Sequence, residues 1–265
     1  MDRIDLFVPI HVNSWSLCFF AFLRVSVVSL SHPPYISPVP NPQAVIFDMD
    51  GVLVDSYSAH FESWKTSAAR YGLTMTQPDF AATFGRTSRD IIRHLWPNKF
   101  DDAQVTAFDA AKESDYRDIL RAKLPVMPGA EDLIASLHKA GFALAIGSSG
   151  PKENVAVVLK GLRNGSFITQ TVNGSEVKHG KPDPQVFLLA AQKLGIAPQN
   201  CAVIEDAPAG VEAARRAAMF SIGLLGTAPR EALAKYANVI VANLNELNPP
   251  QIAHWIANKK NRSIQ

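Results

Sequence analysis

The sequence predicts an α/β fold: an open, doubly wound parallel sheet with helices on both faces and an all-helical insertion after the first strand. Three observations carry that prediction. Short apolar runs alternate with helical patterns from residue 44 onward, residues 57–125 show helical periodicity and no strand pattern, and the composition is that of a packed chain. The 265 residues are 47% apolar, 19% charged and 9% aromatic. That suffices for one large domain, or a core with a smaller module, and is too apolar for intrinsic disorder. Lys and Arg number 26 against 24 Asp and Glu, a formal charge of +2. No global field therefore draws nucleic acid or an anionic membrane, and any phosphate binding must be local. Cys18 and Cys201 are the two cysteines. They form neither a zinc-ligand cluster nor a disulfide framework, so a reducing, cytoplasmic location is expected.

In chain order, residues 1–42 stand apart as an extension. The apolar run 17–23 is broken by Arg24 and falls well short of the roughly 20 residues that span a bilayer. Asp2 and Asp5 offset Arg3, and only Ser29-Leu30-Ser31 resembles a signal cleavage site. Two readings stay open: a signal or anchor, and an extension from a start codon placed too far upstream. The second requires initiation at a Val or Leu codon, because no methionine lies between Met1 and Met49. Pro33, Pro34, Pro38, Pro40 and Pro42 then make an extended linker, since each fixes its own φ and pushes its predecessor out of the helical region.

The folded body begins near Gln43. Residues 44–47, 142–146, 201–204, 221–225 and 239–241 read as buried strands, and 130–140, 152–160, 184–194 and 209–218 as helices between the later ones. Within the insertion, Tyr57, Phe61, Trp64, Ala68 and Tyr71 fall on one helical face, and Ile91, Ile92, Leu95 and Trp96 on another. The expected organisation is a core of residues 43–56 and 126–247, the helical insertion 57–125, and a tail 248–265.

The first strand ends in Asp48-Met49-Asp50-Gly51. Carboxylates at i and i+2 project to one side of an extended chain, and the carboxyl end of a strand is where an open α/β sheet binds ligands. Gly51 permits a sharp turn. Alone, the motif also fits a polar loop with an Asp turn; it is no calcium loop, whose glycine belongs at the sixth position, not the fourth. Ser148 alone fits a helix cap or loop hydroxyl, and Gly147-Ser148-Ser149-Gly150 lacks the spacing of a serine-hydrolase elbow. Lys181 alone fits a solvated charge, with Lys178 and His179 as rivals. Asp183 fits the cap of the helix from Pro184, and Asp206 fits a cap of the helix at Ala209.

Taken together, these segments resemble a known family. Asp48-Met49-Asp50-Gly51-Val52-Leu53-Val54-Asp55-Ser56 is similar to the first signature of the haloacid dehalogenase superfamily of phosphotransferases. Ala145-Ile146-Gly147-Ser148 resembles the second signature, Lys181-Pro182-Asp183-Pro184 the third, and Val203-Ile204-Glu205-Asp206-Ala207-Pro208-Ala209-Gly210 the fourth. The resemblance spans residues 43–247 and implies a Rossmann-like core with an α-helical cap of the first type over 57–125. It implies Asp48 as nucleophile, Asp50 as general acid and base, Ser148 as a hydrogen-bond donor to a phosphoryl oxygen, and Lys181 as the cation between Asp48 and the transferring group. It also implies Mg²⁺ held by Asp48, Asp50 through its carbonyl, and Asp206, with Glu205 in that set or orienting the lysine. The nearness of Asp48 to Asp50 is expected to raise one of the two pKa values and leave Asp50 protonated.

The candidate substrate-binding residues are Ser149, His60, Trp64, Arg86 and Arg89. His60 and Trp64 are similar to a pair found in β-phosphoglucomutases and some sugar phosphatases, although Trp64 also suits the cap core. Arg86, Arg89 and Arg93 make a basic stripe that fits a second anionic group or a solvated face equally. Two features depart from the mutase pattern: Phe84-Gly85-Arg86-Thr87-Ser88-Arg89 is one residue longer than the mutase loop and lacks its lysine, and no lysine stands at Tyr116-Arg117-Asp118. The expected activity is Mg²⁺-dependent hydrolysis of a small, sugar-like phosphomonoester through an aspartyl-phosphate. The alternative is a phosphohexomutase of the β-phosphoglucomutase type. A non-catalytic phosphate-binding protein is disfavoured because every charged catalytic position is filled. The expected partner is a small phosphorylated metabolite, with no nucleic acid and no stable membrane association; the sequence does not set the oligomeric state.

Overall fold

The computed structural model describes residues 42–84 and 86–259; the readings for residues 1–41 lie outside them. In chain order the elements are β1 (Ala44–Phe47), α1 (Tyr57–Arg70), α2 (Gln77–Thr83), α3 (Ser88–Leu95), α4 (Asp102–Ala122), α5 (Ala130–Lys139), β2 (Ala143–Gly147), α6 (Lys152–Gly161), β3 (Gln170–Val172) and α7 (Gln185–Leu194). There follow β4 (Cys201–Glu205), α8 (Pro208–Arg216), β5 (Phe220–Leu224), α9 (Arg230–Leu233), β6 (Val239–Val241) and α10 (Pro249–Asn258). All six strands pair in parallel in the order β3-β2-β1-β4-β5-β6, a Rossmann-like α/β sheet.

The strand runs are apolar throughout because both faces are covered. Val45, Phe47, Leu144, Ile146, Ala202 and Ile204 pack against α5, α6 and α10, while Ala44, Ile46, Ala145 and Val203 pack against α7 and α8. One strand escapes the sequence reading. β3 is Gln170-Thr171-Val172 at the sheet edge, and only Val172 is buried, so no apolar run announces it. The expected tail also departs from expectation: Pro249–Asn258 is a helix whose N-cap Asn248 accepts the Gln251 N–H, and it buries Ile252 and Ile256 in the core.

Between β1 and β2 lies the helical insertion. Trp64, Ala68, Met75, Phe80, Ile91, Ile92, Phe100, Val105 and Phe108 give it a core of its own. Its longest helix, the 21-residue α4, starts from a capping box in which Asp101 accepts the Gln104 N–H and the Gln104 side chain accepts the Asp101 N–H. The chain leaves and returns through one paired segment: the Asp55 N–H donates to Pro125 O at 2.8 Å, and the Met127 N–H to Leu53 O at 2.9 Å. Among the described residues, no helix is long and apolar enough to cross a membrane.

Cys201 opens β4 with no exposed surface, and burial pushes its thiol up to about 12. Because the thiolate is the reactive form, Cys201 in a Cys18→Ser chain should resist iodoacetamide at mildly alkaline pH until denaturant is added. Rapid alkylation of the folded chain would contradict this placement.

Candidate active site

Three central strands deliver their polar residues to one edge of the sheet. The Asp48 N–H extends the ladder beyond β1 by donating to Ile204 O at 3.0 Å. β4 ends in Glu205 with Asp206 next, and Ser148 follows β2 with its N–H on Val172 O at 3.0 Å. Lys181 comes from the loop between β3 and α7. Its Nζ lies 2.5 Å from Asp48 Oδ1 and 2.7 Å from Glu205 Oε1. Its rivals Lys178 and His179 are exposed, with their backbone N–H groups on the Gln185 side chain.

Asp48, Glu205 and Asp206 are buried, and one carboxylate oxygen of each lies within 4.8 Å of the others. Lys181 is the one cation bonded to this group among the described residues. Burial raises the Asp48 carboxyl well above its ordinary range against the pull of Lys181, with Glu205 and Asp206 adding to the rise. Burial and then Glu205 push Asp206 up to about 7. Burial opposes the Lys181 charge, but Asp48 and Glu205 outweigh it and hold the ammonium above its ordinary value. An all-oxygen donor set with surplus negative charge suits a hard cation such as Mg²⁺. The packing agrees, since Gly51 has φ +79° and a Cβ there would overlap the Asp206 carboxylate. Asp206 also accepts a hydrogen bond from the Thr227 hydroxyl and caps no helix.

Glu205 has both oxygens engaged, one by Lys181 and the other by the Ala207 N–H at 2.6 Å. Asp183 accepts the Gln185 N–H at 2.9 Å at the start of α7. Ser148 is 1% exposed, and its Oγ accepts the Gly150 N–H at 3.0 Å; Ser149 is exposed.

Asp50 faces the insertion. Its Oδ1 accepts from Tyr116 Oη at 2.7 Å and lies 3.5 Å from His60 Nε2. Burial works to raise the Asp50 carboxyl, but His60 and then Tyr116 outweigh it and bring it to about 2. The order is therefore the reverse of the one expected. Asp48 carries the raised pKa because it is buried and, after that, because it shares its pocket with two carboxylates, whereas donors around Asp50 outweigh its burial.

The His60 ring stacks on Tyr116 with centroids 4.0 Å apart, and His60 Nδ1 lies 3.0 Å from the Nζ of buried Lys112. Lys112 thus supplies a lysine beside the site one helical turn before Tyr116, on the same face of α4 and N-terminal to the segment where the sequence reading found none. Trp64 is 2% exposed within the insertion core, 5.6 Å from the Phe108 ring and with Lys112 Nζ over its face. Arg89 and Arg93 both bond Asp102 Oδ1, at 2.7 and 2.6 Å. Arg86 is exposed and has no side-chain hydrogen bond or ion pair among the described residues.

The family model of haloacid dehalogenase-like hydrolases matches residues 42–218. The chain belongs to this family. It is 30% identical to the validoxylamine A 7'-phosphate phosphatase of Streptomyces hygroscopicus subsp. limoneus, over 79% of this chain and 98% of that one. It is 36% identical to hexitol phosphatase A of Escherichia coli, over 63% of this chain and 75% of that one. A crystal structure of β-phosphoglucomutase from Clostridium difficile matches with a TM-score of 0.71 and 26% identity, covering 83% of this chain and all of that one.

In this haloacid dehalogenase-like hydrolase the sequence reading missed Tyr116, Lys112, Thr227 and Gly210. The first three lie outside every motif. Gly210 did carry a signal, because glycine inside a helix costs about 1 kcal/mol relative to alanine. It sits in α8, where a Cβ would overlap the Glu205 carboxylate. Gly210→Ala should therefore keep the fold while displacing Glu205 from Lys181 and lowering activity on the order of 10- to 100-fold. Full activity in the purified variant would show that Glu205 does not position the lysine.

Proposed function

We propose that the chain is a Mg²⁺-dependent phosphomonoester hydrolase acting on a small sugar-like phosphate through an aspartyl-phosphate. The observation that carries this reading is the buried Lys181 bridge between Asp48 and Glu205, beside Asp206, at the carboxyl edge of the sheet. Phosphomonoesters hydrolyse so slowly unaided that accelerations up to about 10²¹-fold are needed, and neutralising charge comes first. Asp48, the Asp50 carbonyl and Asp206 would hold Mg²⁺, with Glu205 engaged by Lys181. When bound, the ion offsets the charge of the phosphoryl group and of the carboxylates around it.

The chain's own residues supply the rest. Lys181 holds the Asp48 carboxylate in one orientation and presents positive charge to the incoming phosphoryl, while the Ser148 hydroxyl donates to one of its oxygens. An Asp48 oxygen bonds phosphorus as the bond to the leaving oxygen breaks. Asp50, whose pKa an arriving phosphoryl dianion raises, takes up a proton from solvent as the substrate binds and gives it to that oxygen. Ionised again, Asp50 takes a proton from the water that attacks the aspartyl-phosphate, which releases phosphate and frees Asp48. The insertion acts as a cap that closes over the leaving group and excludes water during the first step.

The phosphatase names of two relatives support hydrolysis, as does the pairing of Arg89 and Arg93 with Asp102, which leaves fewer cap cations for a second phosphate. Lys112 and the mutase neighbour favour the second reading, a phosphohexomutase. Supplied with β-glucose 1-phosphate, Mg²⁺ and a trace of glucose 1,6-bisphosphate, the wild type should release phosphate faster than glucose 6-phosphate appears. Asp48→Asn should do neither while remaining folded, as circular dichroism reads it. Stoichiometric conversion to glucose 6-phosphate without phosphate release would overturn hydrolysis in favour of the mutase.

A further inference from the structure

Asp50 and Asn154 are core side chains that hydrogen-bond the insertion. Asn154 lies in the first turn of α6, directly after the Ser148-Ser149-Gly150 loop, and is 2% exposed. Its Nδ2 donates to Glu113 Oε2 at 2.6 Å and its Oδ1 accepts from Arg117 Nη1 at 3.2 Å. Both partners belong to α4. The other Glu113 oxygen accepts from Lys112 Nζ at 2.7 Å, and Lys112 lies 3.0 Å from His60 Nδ1. His60 stacks on Tyr116, and both face Asp50 Oδ1.

An asparagine buried without partners would be costly, and here both halves of its amide are satisfied, one by a carboxylate and one by a guanidinium. The same amide joins two pieces that the reaction must bring into register. α6 carries the loop that ends in the Ser148 donor, and α4 carries the groups that surround Asp50. Apolar packing of Leu120 and Tyr116 also ties α4 to the core, but packing is non-directional and tolerates sliding. A two-sided amide fixes register.

We propose that Asn154 is a positioning residue: it seats the cap on the phosphate-binding edge through Glu113 and Arg117 and thereby sets Asp50 for proton transfer to the leaving oxygen. The inference rests on the hydrolase reading for its kinetic consequence, but the seating itself does not.

Three variants of the full chain test it. Asn154→Leu removes both bonds at similar volume. Asn154→Asp keeps the shape and sets a carboxylate against Glu113. Asn154→Asp with Glu113→Gln restores the link with reversed polarity: the amide introduced on α4 can donate to the carboxylate introduced on α6 and still accept from Lys112, while that carboxylate accepts from Arg117.

A nitrophenolate leaves readily as an anion and draws little on a general acid, whereas a primary alkoxide needs the proton. The kcat/KM of both single variants, which runs only as far as departure of the leaving group, should fall about tenfold more on glucose 6-phosphate than on 4-nitrophenyl phosphate, a fraction of the whole general-acid contribution. The double variant should recover most of that difference. Equal losses on both esters, no loss on either, or no recovery in the double variant would overturn the positioning role.

Amide hydrogen exchange reads the seating without turnover. Asn154→Leu should lose protection in α4 by about tenfold or more, since each of the two bonds removed is to a charged group and one alone would account for about tenfold, with β1 and β4 unchanged. Unaltered protection in α4 would overturn the seating. A wild type inert toward both esters would overturn the hydrolase reading instead, and the exchange result would still decide the role of Asn154.

Discussion

Three carboxylates buried around one ammonium group are the constraint on which the rest of the structure turns. A charge taken out of water is costly unless it is paired and hydrogen-bonded, and a pair that loses one member costs more than it contributed when intact. Lys181 meets Asp48 and Glu205 but has no bond to Asp206, whose carboxyl is pushed up to about 7. The site therefore holds more negative charge than its own residues offset. That surplus suits a hard cation at the oxygens, and a bound cation would offset the charge that an approaching phosphoryl dianion meets.

The fold keeps these like charges together by spending rigid structure on them. Asp48 and Glu205 are fixed by strands that pair with each other and are covered on both faces, so neither carboxylate can drift toward solvent. Backbone without side chains lies where those carboxylates need room, at Gly51 beside Asp206 and Gly210 beside Glu205. Proton transfer is assigned to a different environment. Asp50, two residues along, is turned toward Tyr116 and His60 of the insertion, so two neighbouring aspartates carry opposite pKa perturbations.

The legible parts of this arrangement were those written locally. The apolar runs gave β1, β2, β4, β5 and β6 because buried parallel strands are apolar on both faces; β3, with its polar Gln170 and Thr171, offered no such signal. Asp48, Asp50, Ser148, Lys181, Glu205 and Asp206 were legible through four short segments in a fixed order. The choice among Lys178, His179 and Lys181 needed the backbone path, since all three sit in one loop. What stayed hidden came from tertiary proximity. Lys112, Glu113 and Tyr116 lie on a helix for which the sequence reading named no face, and only the packing of α4 on α1 and α6 turns them toward Asp50 and Asn154. The basic stripe was legible as a stripe, but its pairing with Asp102 required the position of the α4 N-terminus.

The central claim is that this crowded carboxylate cluster serves to make Asp48 a nucleophile, and trapping the intermediate tests it most directly. The wild type, mixed with a sugar phosphate and Mg²⁺ and quenched in acid within the first turnover, can be digested and its peptides mapped by mass spectrometry. The account predicts one phosphoryl group, on Asp48, absent without Mg²⁺. Turnover with no covalent phosphate at the earliest times, or phosphate mapped to another residue, would contradict it.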